Sequence, residues 1–190
     1  MINMNTNNEI SDLVVKAYKH QKNGDLSLAI QGWNALINHS STDKELISNA
    51  FLNLGNLHLQ QGNGDLAYES MAKAISSNPN SSEAFFCMAY MEQEKENFNE
   101  AINFFEAALK LKPKDVGAIN NLGNCYDRLN AADKAINTYS KAISIDSSAK
   151  IGRVFFMSPT YIVSVKKSFS KRYKSYVEVD SNLLLRRSTI

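Results

Sequence analysis

The string Asn-Leu-Gly-Asn occurs at residues 53–56 and again at 121–124, 68 residues apart, and half of that interval recurs along the chain. Pro79 and Pro113 stand 34 apart, after the parallel strings AISSNP and ALKLKP. Ala67, Ala101 and Ala135 keep the same interval, as do Ala74, Ala108 and Ala142, and Met71, Phe105 and Tyr139. Phe51, Phe85 and Ile119 open the three units. A period kept by so many residue types implies a tandem array. Each unit is one supersecondary piece that buries its apolar face against its neighbours.

Within a unit the pattern is helix, turn, helix. Ala50, Phe51, Leu54, Leu57 and His58 fall at helical spacing. Gly62 and Gly64 supply a short turn. Ala67, Met71 and Ala74 share one face of a second helix, which Pro79 stops from continuing. Gly55 and Gly123 then lie in mid-helix, where Gly costs about 1 kcal/mol relative to Ala. Close approach of a neighbouring helix is what offsets that cost, so neither Gly belongs to a phosphate-binding loop.

These units resemble the tetratricopeptide repeat family, whose pattern sets Leu-Gly and an aromatic before Ala, aromatic, Ala and a closing Pro. The copy VGAINNLGNCYDRLNAADKAINTYSKAISIDSS matches through Leu122, Gly123, Tyr126, Ala135, Tyr139 and Ala142, and departs at Ser147. The middle copy has Met88-Ala89 for Leu-Gly and Glu92 for the aromatic; the copy before it has His58 in that slot. A weaker unit precedes these, with Ala29 and Trp33 in the small and aromatic slots. Four extra residues, KELI, lengthen the front of the helix that follows it. The resemblance implies an all-α, right-handed α-α superhelix (a TPR solenoid) of helix-turn-helix repeats. Its repeats fall at about 10–43, 48–81, 82–115 and 116–149, after a disordered N-terminus at 1–9.

Charge divides the chain differently. Residues 1–150 carry 13 Lys/Arg against 17 Asp/Glu, whereas 151–190 carry 8 against 2. In the basic tail of 150–190, Ile162, Val165, Phe169, Tyr173 and Tyr176 fall on one helical face, while TYIVSV and SYVEVD alternate as strands do. A divergent capping helix, a basic segment for nucleic acid or an anionic membrane, and a poorly ordered end all stay open for it. The opening MINMNTNNEI has neither a basic head nor an apolar stretch, so it does not read as a signal peptide. Cys87 and Cys125 form no CxxC, which suits reduced thiols. A cytoplasmic location is expected.

No catalytic constellation is evident, and the chain is expected to be neither an enzyme nor a carrier of a cofactor or metal. His20 and His58 occupy aromatic slots, His39 sits in a loop, and nothing matches GxSxG or a P-loop. Glu92, Glu94, Glu96 and Glu100 suit a solvated turn. What remains is a surface. By resemblance, the first helix of each repeat lines a concave groove. Its slots hold Val14, Val15, Tyr18 and Lys22, then Asn49, Leu52, Asn53, Asn56, Leu59 and Gln60. Glu83, Phe86, Cys87, Tyr90, Gln93 and Glu94 follow, then Gly117, Asn120, Asn121, Asn124, Asp127 and Arg128.

Asn53, Asn56, Asn120, Asn121 and Asn124 each offer a donor and an acceptor, which suits gripping the backbone of an extended peptide. The row resembles the asparagine ladder in the repeat arrays of protein O-linked N-acetylglucosamine transferases. Phe86 and Tyr90 offer apolar contact. Family members that hold the acidic tail of heat-shock chaperones use paired basic residues here, whereas this chain has Leu52, Glu83, Phe86 and Gly117. The expected role is a non-catalytic scaffold or adaptor binding a protein or peptide on the concave face, with no small-molecule substrate. The alternatives are the substrate-recognition portion of a glycosyltransferase-like enzyme and a small cytosolic secretion chaperone.

Overall fold

The structure, a computed structural model, describes residues 4–146. Among these the chain forms eight helices and no strand: α1 (Met4–Asn23), α2 (Leu26–Asn38), α3 (Lys44–Gln60), α4 (Gly64–Ser77), α5 (Ser82–Glu94), α6 (Phe98–Leu111), α7 (Val116–Arg128) and α8 (Ala132–Ile145). The helices pack as four consecutive hairpins, each stacked on the next. The tail at 150–190, with its candidate amphipathic face, lies outside the described residues.

Helix starts and stops recur with the repeat. Asp43, Ser81 and Asp115 cap α3, α5 and α7, each side chain accepting the N–H three residues on, at 2.7, 3.3 and 3.0 Å. The ends of the first helices are also alike. Gly24, Gly62, Glu96 and Asn130 all have positive φ, at 82°, 77°, 62° and 56°. The N–H after each returns to the carbonyl of His20, His58, Glu92 or Tyr126, at 2.9 Å every time. This left-handed closure satisfies a carbonyl that the helix end leaves free. Glu96 and Asn130 thus do the work of Gly in a conformation most side chains avoid.

The core is a ladder of small residues against large ones. In register, Ala17, Gly55, Ala89 and Gly123 on the first helices are buried beneath Trp33, Met71, Phe105 and Tyr139 on the second. A Cβ added at Gly55 would lie 2.5 Å from Met71 Cε, and one at Gly123 would lie 2.6 Å from Tyr139 Cε1. The rigid ring thus requires glycine at 123, whereas at 55 the contact is with the flexible end of a methionine. Ala29, Ala67, Ala101 and Ala135 are fully buried in the companion slot.

Three expectations need correction. α1 begins at Met4, inside the stretch expected to be disordered. Ile10, Leu13, Val14 and Ala17 anchor it against α2 and α3, and no Gly or Pro stops it from propagating outward. Leu52 does not line a groove: it is 8% exposed and packs with Ala84 and Met88 of the next repeat. Glu92 is not on a solvated turn but buried, with Asn97 Nδ2 donating to its Oε2 at 2.8 Å and Lys95 Nζ 3.7 Å from Oε1.

Candidate protein-interaction face

The first helices α1, α3, α5 and α7 carry the residues expected to form the groove. α5 and α7 touch directly: Cys125 Sγ lies 3.4 Å from Gln93 Oε1, and Arg128 donates to Glu96 Oε1 at 2.9 Å. Side chains three or four apart on one helix share a side of it. Asn53 therefore neighbours Asn56, Phe86 neighbours Tyr90, and Asn120 and Asn121 both neighbour Asn124.

The predicted residues differ in what they have free. Asn53 is half-buried, and its amide donates to the Asn49 carbonyl one turn back at 2.8 Å, so one of its two N–H groups is engaged within its own helix. Asn56 is exposed and Asn124 half-buried, and neither makes a side-chain hydrogen bond among the described residues. Asn121 is half-buried and likewise unengaged. Asn120 is half-buried with its Oδ1 shielded from solvent and lacking a hydrogen-bond partner. It shares a slot with Leu52, which is buried, and with Phe86, which is half-buried. Phe86 leans edge-on against Phe105, ring centroids 5.6 Å apart, so it serves the core as much as the surface. Tyr90 keeps 44% of its surface exposed.

The two thiols and the Tyr126 phenol all have raised pKa values. Burial pushes the Cys125 thiol from 9.0 up to about 11, and burial followed by the Glu83 carboxylate raises that of Cys87. Burial and the hydroxyl's 3.0 Å bond to Glu106 raise the Tyr126 phenol. Among the described residues, no three His, Cys, Asp or Glu side chains converge as a metal site. Nor is any described helix long and apolar enough to cross a membrane.

Sequence reasoning missed two things at this face. One is that Tyr18 and Tyr90, each already assigned to the groove, form a matched pair of exposed rings, at 49% and 44%, in the same slot of α1 and α5. The 34-residue phase carried that signal, once lengthened by the four extra residues at the front of α3. The other is the internal bond of Asn53, which depends on a rotamer that no sequence pattern records.

Family comparison agrees with this geometry: residues 48–81 and 91–149 match profiles described as Tetratricopeptide repeat. The chain is a tetratricopeptide repeat protein. It is 30% identical over 107 residues to Superkiller complex protein 3 of Mus musculus, covering 56% of this chain and 7% of that protein. It is 28% identical over 78 residues to the Homo sapiens protein O-mannosyl-transferase TMTC3, covering 41% of this chain and 8% of that protein. The chain thus spans less than a tenth of either. The crystal structure of the MamA protein superposes with a TM-score of 0.62 at 25% identity, covering 73% of each chain. The described tetratricopeptide repeats form the superhelical solenoid of that family, and such arrays serve as protein-interaction modules.

Proposed function

We propose that this chain is a non-catalytic scaffold that binds an extended segment of a partner protein along the face of α1, α3, α5 and α7. The observation that carries the reading is the set of amides at Asn56 on α3 and at Asn121 and Asn124 on α7, the first helices to either side of α5, which make no side-chain hydrogen bond among the described residues. A primary amide both donates and accepts, so it pairs with the repeating groups of an extended backbone whatever the side chains. Tyr90 adds apolar contact on the helix between them. Asn53 contributes less than the repeated string suggests, because its bond to the Asn49 carbonyl ties the side chain to its own helix and occupies one N–H.

A double substitution of Asn56→Ala and Asn124→Ala tests this. Two such bonds contribute about 1–3 kcal/mol together, so partner affinity should fall roughly 5- to 100-fold. Circular dichroism should show unchanged helicity. Unchanged affinity in a correctly folded variant removes the amides from the binding face.

A second reading follows from the match to an O-mannosyl-transferase: this array serves as the recognition part of a longer transferase-like protein. A transferase domain encoded in frame with this chain would favour it, and a separate gene product of this length alone would oppose it.

A further inference from the structure

The first helices are not uniform along the array. In register, Tyr18, Asn56, Tyr90 and Asn124 occupy one slot on α1, α3, α5 and α7. One turn further on, and so on the same side, stand Lys22, Gln60, Glu94 and Arg128. Successive repeats therefore present ring with cation, amide with amide, then ring with carboxylate. The Tyr18 ring is held edge-on by buried Trp33, centroids 4.7 Å apart, yet stays half exposed. Arg128 is answered within the chain, by Glu96 at 2.9 Å and by the Phe98 ring at 4.9 Å. Lys22 and Glu94 are exposed and make no ion pair among the described residues. Two unanswered charges of opposite sign, each beside an exposed ring, define what complements them.

We propose that this face selects an extended peptide segment with two apolar side chains about six residues apart, one flanked by an acidic residue and the other by a basic one. The proposal rests on reading this face as a peptide groove. Taking the roughly 8–10 Å separation of packed helices as the step from one first helix to the next, an extended chain that advances about 3.3 Å per residue passes roughly three residues per repeat and six from Tyr18 to Tyr90. The apolar side chains cover the two rings. The amides of Asn56 and Gln60 meet backbone in between, the acidic residue faces Lys22 and the basic residue faces Glu94.

Synthetic peptides of about fourteen residues, Ser/Thr-based and carrying two leucines at varied separation, test this by fluorescence polarisation against the full chain. Affinity should be highest near a separation of six and about tenfold lower near three, the effect of leaving one leucine uncovered. A peptide with Glu beside one leucine and Lys beside the other should outbind its Glu/Glu and Lys/Lys versions. Lys22→Glu should turn that preference toward Lys/Lys, and Tyr18→Ser with Tyr90→Ser should flatten the dependence on separation. Binding that ignores separation and charge overturns this inference and leaves the peptide groove standing. No binding by any peptide removes both, as does a dimer built on this face that no peptide dissociates.

Discussion

The repeats of α3/α4 and α7/α8 carry the same four letters, and the structure uses them differently. In the first, the mid-helix Gly faces the methyl end of Met71; in the second, it faces the ring of Tyr139. Asn53 opens the first string and turns its amide back on its own helix, whereas Asn121 opens the second and makes no side-chain hydrogen bond among the described residues. Asn56 is exposed, while Asn124 is half-buried. Identical strings thus fix the helical register but not the partner of each side chain, because the partner lies outside the string, on the second helix for the glycines and one turn back on the first helix for Asn53.

The largest expected effect breaks the two glycines apart. Gly123→Ala drives a Cβ to 2.6 Å from the Tyr139 ring, and an aromatic ring has no flexible end to withdraw. It should cost about 2 kcal/mol in a denaturation midpoint experiment, within the range of overpacked cores. Gly55→Ala meets a methionine, which has three rotatable bonds and repacks. The gain of about 1 kcal/mol in helix propensity offsets part of that adjustment, so this variant should stay within about 1 kcal/mol of the parent. Adding Tyr139→Met to Gly123→Ala should recover part of the loss. Equal costs for the two glycine variants would show that the facing side chain is not what distinguishes the repeats.

The middle repeat sharpens the contrast through the slot shared by His58, Glu92 and Tyr126. Tyr126 reaches Glu106, His58 leaves a shielded Nδ1 without a partner, and Glu92 is buried under Asn97. Asn97→Ala removes that donor from a buried carboxylate and should cost about 1–2 kcal/mol. Asn63, its counterpart in the earlier repeat, bonds only to exposed Gln61 at 3.3 Å. Asn63→Ala should therefore change stability by less than about 0.5 kcal/mol. A comparable loss from both variants would mean that Asn97 acts through the turn it occupies and not through Glu92.

The 34-residue period was legible because each packing slot meets the same surroundings in every repeat, so Ala67, Ala101 and Ala135 answer one demand three times. The all-α hairpin array follows from that phase, and so does the family. What stayed hidden depends on single partners. Glu96 holds a left-handed conformation because the turn closes around it, although its residue type does not announce it, as that of Asn130 does. Glu92 reads as a surface carboxylate until Asn97 is seen to cover it. The first helix runs to Met4 because apolar contacts further along hold it, against the polar look of its opening residues. At the candidate face, residue types were legible and engagement was not: Asn53 and Asn121 share a slot in register and differ only in a hydrogen bond.

The smallest effect at neutral pH concerns the residue after each second Asn of the repeated string. The first copy places Leu57 there and the last places Cys125, both fully buried. Leucine carries no proton, whereas the Cys125 thiol is raised by burial from 9.0 to about 11. A folded-state pKa above the unfolded one favours the protonated form on folding. Its contribution is complete below pH 9.0 and is lost as pH rises toward about 11. Between those values the parent should lose more stability than a Cys125→Ala variant, even though the variant starts lower through its lost contacts. Denaturant midpoints across that range read the difference in slope directly. Parallel slopes would place the alkaline sensitivity elsewhere and would mean that burial in the last repeat does not raise the Cys125 thiol.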